Sequence, residues 1–191
     1  MYARLTLNAA LAGASALLLG CGDPNPPTHP SAGTSDISGP NANASLPVRR
    51  VTMMDACDPA TFNAAIGPGT CVRRGGVTFA RFIEQLTRHQ KAGSWVNAPP
   101  RMAAREGQTL LAINRGGEAH TFTPVQAYGG GIVPILNQLS GNPVPAPECL
   151  TLAPGDFVPP GHTDEAELGP AATQRFMCCL HPWMRTTVQV H

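Results

Sequence analysis

The stretch Phe176-Met177-Cys178-Cys179-Leu180-His181-Pro182-Trp183-Met184-Arg185 is the most informative part of this 191-residue chain. It contains the spacing Cys-x-x-His-x-x-Met, formed by Cys178, His181 and Met184. A thiolate, an imidazole and a thioether so close together are ligands that suit copper. One Cys, two His and a weak axial Met make a blue-copper site, so the pattern requires a second His from elsewhere in the chain.

His120 is the natural source of that second imidazole. It follows a glycine-rich turn, Asn114-Arg115-Gly116-Gly117-Glu118-Ala119, which itself follows a short apolar stretch. The spacing therefore predicts a metal site that joins this turn to the Cys178 loop.

Short apolar stretches separated by turn residues predict several strands. They lie near Trp95 and over residues 109–114, 119–123, 175–178 and 187–190. The chain has 20 Gly and 20 Pro and only 13% charged residues, which argues against a helical bundle. We expect one all-β domain, a sandwich or barrel. A net charge of +1 gives no drive toward nucleic acid.

The first twenty residues are typical of an export signal. Arg4 precedes an apolar run that ends Leu18-Leu19-Gly20-Cys21, which resembles a bacterial lipobox. Residues 1–20 are then a lipoprotein signal peptide, and Cys21 is the lipidated residue that anchors the protein to a membrane. An ordinary signal peptide with a chance Cys is the alternative. Residues 21–50 are rich in Pro, Gly and Ser, which predicts a flexible tether.

An exported chain lies in an oxidising compartment, where disulfides persist. Cys57 and Cys71 are close in sequence and predict a local disulfide. Downstream, Phe79, Phe82, Ile83 and Leu86 form one apolar stripe at helical spacing, which predicts a short helix.

The loop Cys178-x-x-His181-x-x-Met184, followed by Arg185 and a Val-rich last strand, resembles amicyanin and, more broadly, the plastocyanin-like cupredoxins. Upstream, Gly107, a strand, Asn114 and His120-Thr121 are similar to the family's Gly–strand–Asn–turn–His pattern. The resemblance covers about residues 95–191. It implies a Greek-key β-sandwich that binds one type 1 copper ion through His120, Cys178 and His181, with Met184 axial.

The domain is thus expected over residues 51–191. Residues 95–191 form its copper-binding core, and residues 51–94, with the one short helix, form an N-terminal extension outside the resemblance. The stretch between His120 and Cys178 is longer than in amicyanin, so an extra loop is expected near 129–148. Thr121 stands where plastocyanins and azurins often have Asn, which alters the hydrogen bonds around the ligand loop.

Cys179, beside the presumed ligand, needs another partner. On a regular strand it points away from Cys178. If Cys57 pairs with Cys71, Cys149 is the partner left, which predicts a Cys149–Cys179 disulfide. Mixed pairings stay open.

The resemblance implies outer-sphere electron transfer, not an enzyme: a monomeric carrier of single electrons between redox proteins that dock near His181 and Trp183. The expected location is the cell envelope, lipid-anchored and facing the periplasm; Gly22 favours the outer membrane if the cell is Gram-negative. None of the six His forms a His-x-His pair, which argues against a multicopper oxidase. Periplasmic copper storage or delivery through the same ligands is the alternative function.

Overall fold

The computed structural model describes residues 46–191. The signal peptide, Cys21 and nearly all of the tether predicted from the sequence lie outside these residues. The elements are β1 (Arg49–Met54), α1 (Pro59–Ala65), α2 (Phe79–His89), β2 (Val96–Ala98), β3 (Arg101–Ala104), β4 (Thr109–Asn114), β5 (His120–Thr121), β6 (Thr123–Val125), α3 (Pro134–Leu139), β7 (Phe157–Val158), β8 (Thr163–Glu167), β9 (Thr173–Met177) and β10 (Arg185–Val190).

Two four-stranded sheets form the body of the domain. One has the order β2-β1-β4-β8 and the other β3-β10-β9-β6, and β5 pairs with β7 in a small separate ladder. β1 runs parallel to β4, and β3 runs parallel to β10, while the other pairs in the two sheets are antiparallel. Because most sheet neighbours are not consecutive in the chain, the connections cross between the sheets, as in a Greek key.

The two sheets share one apolar core. In β4, buried residues alternate with partly exposed ones, which is the pattern of a strand with one face on the core. Fully or almost fully buried apolar side chains come from both sheets: Val51, Met53, Leu110, Ala112, Phe176, Val188 and Val190. The predicted all-β, cupredoxin-like sandwich is therefore confirmed.

Helices α1 and α2 follow β1 in the chain. The predicted helix is α2, whose Thr78 side chain accepts a hydrogen bond from the Arg81 backbone N–H. The prediction of one short helix in residues 51–94 is wrong, because the structure has a second one, α1, which has no apolar stripe and buries only Phe62. Asp58 caps α1, and its side chain accepts a hydrogen bond from the Thr61 backbone N–H. Among residues 46–191, no helix is both long and apolar enough to cross a membrane.

An aromatic cluster joins the helices to the sheets. The ring centroids of Phe82 and Trp95 are 4.6 Å apart, and those of Phe62 and Trp95 are 5.7 Å apart. All three side chains are buried. Residues 51–94 are thus part of the main core, because β1 lies between β2 and β4 and these rings pack inside.

Two disulfides tie loops to this framework. The structure pairs Cys57 with Cys71 and Cys149 with Cys179, the two pairs predicted from the sequence. Cys178 is the free cysteine of the described residues, and it is buried.

Leu110, which is completely buried in β4, tests the core. Leu110→Ala should lower the free energy of unfolding by about 2–5 kcal/mol, because it removes apolar contacts and leaves a cavity. Denaturant unfolding measures this change. Leu150→Ala, at a side chain that is 66% exposed, is the control and should change it by less than about 0.5 kcal/mol. Equal effects would contradict the assigned core.

Candidate metal centre

Three side chains meet at the end of the sandwich near the helices. Cys178 follows β9, His120 is in β5, and His181 lies in the loop between β9 and β10. The Cys178 Sγ is 3.8 Å from Nδ1 of His120 and 3.8 Å from Nδ1 of His181. These three ligand atoms form one cluster that could hold a metal ion. Cys178 and His120 are 0% exposed and His181 is 5% exposed.

Backbone hydrogen bonds close the ligand loop. The Cys178 N–H donates to the Met184 carbonyl at 3.0 Å, and the Met184 N–H donates to the His181 carbonyl at 2.9 Å. Met184 is fully buried in this loop. Backbone hydrogen bonds therefore hold the shape of the seven-residue loop that carries Cys178, His181 and Met184.

The donor set fits a metal ion of the size of copper or zinc. Bonds of about 2.0 Å to nitrogen and about 2.3 Å to sulfur, at a trigonal angle of about 120°, place nitrogen and sulfur about 3.7 Å apart. Both sulfur-to-nitrogen distances in the cluster are 3.8 Å. Two imidazoles and a thiolate in a trigonal arrangement, with a thioether nearby, are the ligands of blue-copper sites.

Hydrogen bonds and nearby charges shift the pKa values of Cys178 and His120. Burial alone would raise the pKa of the Cys178 thiol, but hydrogen bonds from His120 and His181 lower it well below its usual value. Burial would likewise lower the pKa of His120, but hydrogen bonds to Asp55 and Cys178 raise it to about 9. These opposite shifts favour a thiolate beside a protonated imidazole.

Two carboxylates lie next to the Nε2 atoms of the two imidazoles. Asp55 Oδ2 lies 3.0 Å from Nε2 of His120, and Glu118 Oε2 lies 3.7 Å from Nε2 of His181. Glu118 also accepts a 2.6 Å hydrogen bond from the indole N–H of Trp95. Burial raises the pKa of Glu118, whereas hydrogen bonds from His120 and from backbone N–H groups outweigh burial and lower the pKa of Asp55.

The neighbour of the ligand cysteine points elsewhere. The Cys179 side chain forms the disulfide with Cys149, and its backbone N–H donates to the Thr121 hydroxyl at 2.8 Å. The Thr121 backbone N–H lies 3.4 Å from the Cys178 Sγ and donates to it. Thr121 thus connects the strand of His120 to both cysteines.

Arg185 holds the other end of the ligand loop. Its guanidinium donates to the Pro182 carbonyl at 2.7 Å and to Asn142 Oδ1 at 2.6 Å. It also lies 4.7 Å from the ring centre of Tyr128. The extra loop predicted over 129–148 therefore packs against the ligand loop, and α3 lies within it.

The remaining predicted residues occupy other places. Trp183 packs beside the site, with its ring 5.5 Å from that of His181 and 6.0 Å from that of Phe82. His89 ends α2, and His89, His162 and His191 are exposed away from the cluster. Cys21 lies outside the described residues.

Sequence reasoning missed Asp55, Glu118 and Trp95. The adjacent residues Gly116 and Gly117 could have indicated that another segment lies here. A Cβ at Gly116 would overlap the Asp55 carboxylate, and one at Gly117 would lie 2.7 Å from the Cys57 Sγ. Two adjacent glycines so near a predicted ligand indicate that another segment of chain lies against the turn.

A cavity of about 620 Å³ reaches the site from outside. His181 and Glu118 lie in its wall, and the other lining residues are mostly apolar, among them Ile66, Val72 and Leu180. Trp183 lines a different, smaller cavity of about 400 Å³ with Trp95 and Asn97. The approach to His181 is therefore apolar and is formed partly by residues 66–72.

No protein-family model matches the chain, and no curated protein sequence matches it. Among solved structures, a purple cupredoxin from Nitrosopumilus maritimus is similar at 12% identity and a TM-score of 0.41, over 75% of this chain and 99% of that one. A fern plastocyanin mutant gives 12% identity and a TM-score of 0.39, over 74% and 99%. An amicyanin mutant in its Cu(I) form gives 18% and 0.35, over 50% and 73%. These likenesses concern the fold alone, and the chemistry rests on the residues of this chain.

The raised pKa of His120 predicts that metal binding releases a proton. Below pH about 9 a proton competes with the metal for Nδ1, so affinity should rise about tenfold per pH unit from pH 7 and level off above pH 9. Calorimetry with Zn²⁺, a redox-inert probe, in buffers of different ionisation enthalpy counts the protons. His89→Ala should leave the count unchanged. Affinity that is constant between pH 7 and 9 would contradict the protonated His120.

Proposed function

We propose that this protein is a type 1 copper protein that carries single electrons between redox partners at the cell envelope. One observation carries the proposal: a free, buried cysteine sulfur lies 3.8 Å from the Nδ1 atoms of two histidines. His120, Cys178 and His181 would hold the copper ion, with Met184 as the axial ligand. The bound ion would supply a one-electron couple.

The chain's own residues support fast electron transfer in three ways. Burial of Cys178 and Met184 keeps water away from the ligands. The hydrogen-bonded loop from Cys178 to Met184 holds three ligands in a fixed arrangement, so little rearrangement accompanies a change of charge. The Cys149–Cys179 disulfide and the hydrogen bond from Arg185 to Asn142 restrain the two ends of that loop.

We further propose that the redox partner docks over the apolar cavity beside His181. Val72 is 59% exposed and Ile66 is 56% exposed, and both line this cavity. Transient redox complexes use small interfaces, and a mostly apolar one of this kind is suitable. Trp183 lies on the other side of His181 and supports the loop by packing on Phe82.

The end of β1 at which the tether joins the domain supports an anchor that leaves the proposed metal centre accessible to a partner. The tether reaches β1 at Arg49, which pairs with Leu110, while the other end of β1 pairs at Asn114, next to the turn that leads to His120. Six strand residues span roughly 20 Å. A lipid on Cys21 would therefore hold the domain, facing the periplasm, by the end away from the metal.

Copper storage or delivery is the second candidate function for these ligands. A delivery site must release its ion to another protein, which requires access to the sulfur ligands. Cys178 and Met184 are both 0% exposed, an arrangement that favours retention of the ion and hence an electron carrier. The spectrum and redox behaviour of the loaded protein distinguish these two functions.

The protein loaded with Cu(II) should show an intense thiolate-to-copper absorption band that bleaches reversibly on reduction. Cys178→Ser and His181→Ala should lose this band, because each removes one of the proposed ligands. His89→Ala, at an exposed histidine, is the control and should keep it. A colourless wild-type protein that binds Cu(I) tightly would favour storage or delivery, and one that binds neither ion would overturn both functions.

Electron self-exchange between two copies of the protein tests the docking surface without an identified partner. Val72→Glu should slow self-exchange by about tenfold or more at low salt, because both copies bring a negative charge to the contact. Leu150→Glu, an equally exposed apolar residue of the described domain, is the matched control. NMR line broadening in mixtures of oxidised and reduced protein measures the rate, and equal rates for both variants would exclude this cavity.

A further inference from the structure

Asp55 is a buried carboxylate on the far side of His120 from Cys178. It follows β1, 65 residues before His120, yet its Oδ2 is 3.0 Å from the His120 Nε2. Both side chains are completely buried. Nδ1 of the same ring faces the Cys178 sulfur at 3.8 Å. A carboxylate accepts hydrogen bonds, so Nε2 carries the hydrogen and Nδ1 is the nitrogen that faces the proposed metal position.

The hydrogen-bond partners of Asp55 favour a carboxylate at this position. Its oxygens accept hydrogen bonds from the backbone N–H groups of Cys57, Gly117 and Glu118 at 3.2, 2.9 and 3.0 Å. With the imidazole N–H of His120, every one of these partners is a donor. A group that only accepts hydrogen bonds satisfies all of them, whereas an amide would point its own NH₂ at a donor.

The turn before His120 is shaped around this carboxylate. The Gly116 N–H donates to Asn114 Oδ1 at 2.8 Å, and Asn114 Nδ2 donates to the Glu118 carbonyl at 2.8 Å. A Cβ at Gly116 would overlap the Asp55 Oδ2. The glycine therefore permits the close approach that brings Asp55 to His120.

We propose that Asp55 is a positioning residue for His120. It fixes the orientation and the tautomer of the imidazole, so that Nδ1 is free for the metal, and its negative charge makes that nitrogen a stronger donor. The effect on a bound metal rests on the proposed function. The hydrogen bond between Asp55 and His120 involves no metal atom, so it can be tested separately.

Asp55→Asn and Asp55→Ala test the proposal, with Asp58→Asn as the matched control. Asp58 lies three residues away, loses the same charge and caps α1, but it does not contact a ligand. We expect the Asp55 variants to bind Zn²⁺ about 10–100-fold more weakly and to have a higher copper reduction potential, because a weaker donor stabilises Cu(II) less. Asp58→Asn should match the wild type in both. Asp55 variants that fold and match Asp58→Asn would overturn the proposal.

A measurement on the unaltered protein avoids dependence on how the variants fold. In ¹⁵N–¹H spectra of the full chain, the His120 Nε2 hydrogen should exchange slowly with water, both without metal and with Zn²⁺. Rapid exchange of this hydrogen in the folded wild type would overturn the role of Asp55. A wild type that binds neither copper nor Zn²⁺ would instead overturn the proposed function, and the hydrogen signal would still decide the role of Asp55.

Discussion

A buried thiolate is the constraint on which this structure depends. The Cys178 sulfur is fully removed from solvent, and a negative charge in such a place is costly unless donors or cations surround it. His120, His181 and the Thr121 N–H surround it here. The raised pKa of His120 favours its protonated form, which balances this charge, and a bound metal ion would take over that role. The same few atoms thus serve folding and the proposed metal site.

Further polar groups surround the two histidines that contact this sulfur. His120 is held by Asp55, and Asp55 is held in turn by the backbone of Gly117 and Glu118. On the other side, Glu118 lies between His181 and the indole of Trp95. Each of these groups therefore has a polar partner, and these polar contacts extend from the ligand residues to the segments around them. Loss of one member leaves its neighbour buried without compensation, which costs more than a single hydrogen bond.

The sequence was informative where structure is local. β4 occupies the predicted residues 109–114, because the short apolar run between two turns is contained in the strand itself. The helix stripe from Phe79 to Leu86 and its cap at Thr78 are local in the same way. The ligand loop could be identified because Cys178, His181 and Met184 are close in sequence. A thiolate, an imidazole and a thioether within seven residues favour copper among the possible metals.

Contacts between distant segments could not be read in this way. β1 joins β4 in a parallel pair across an intervening stretch of more than fifty residues, and nothing in its own sequence specifies that partner. Asp55 reaches His120 because this pairing brings the end of β1 beside the turn that leads to His120. Residues 51–94 therefore complete the proposed metal centre: one end supplies the carboxylate next to His120, and the ring of Phe82 lies 6.4 Å from the ring of His181. Without this segment His120 would lose its hydrogen bond to Asp55 and His181 would lose the packing of Phe82, so the segment and the two histidines depend on one another.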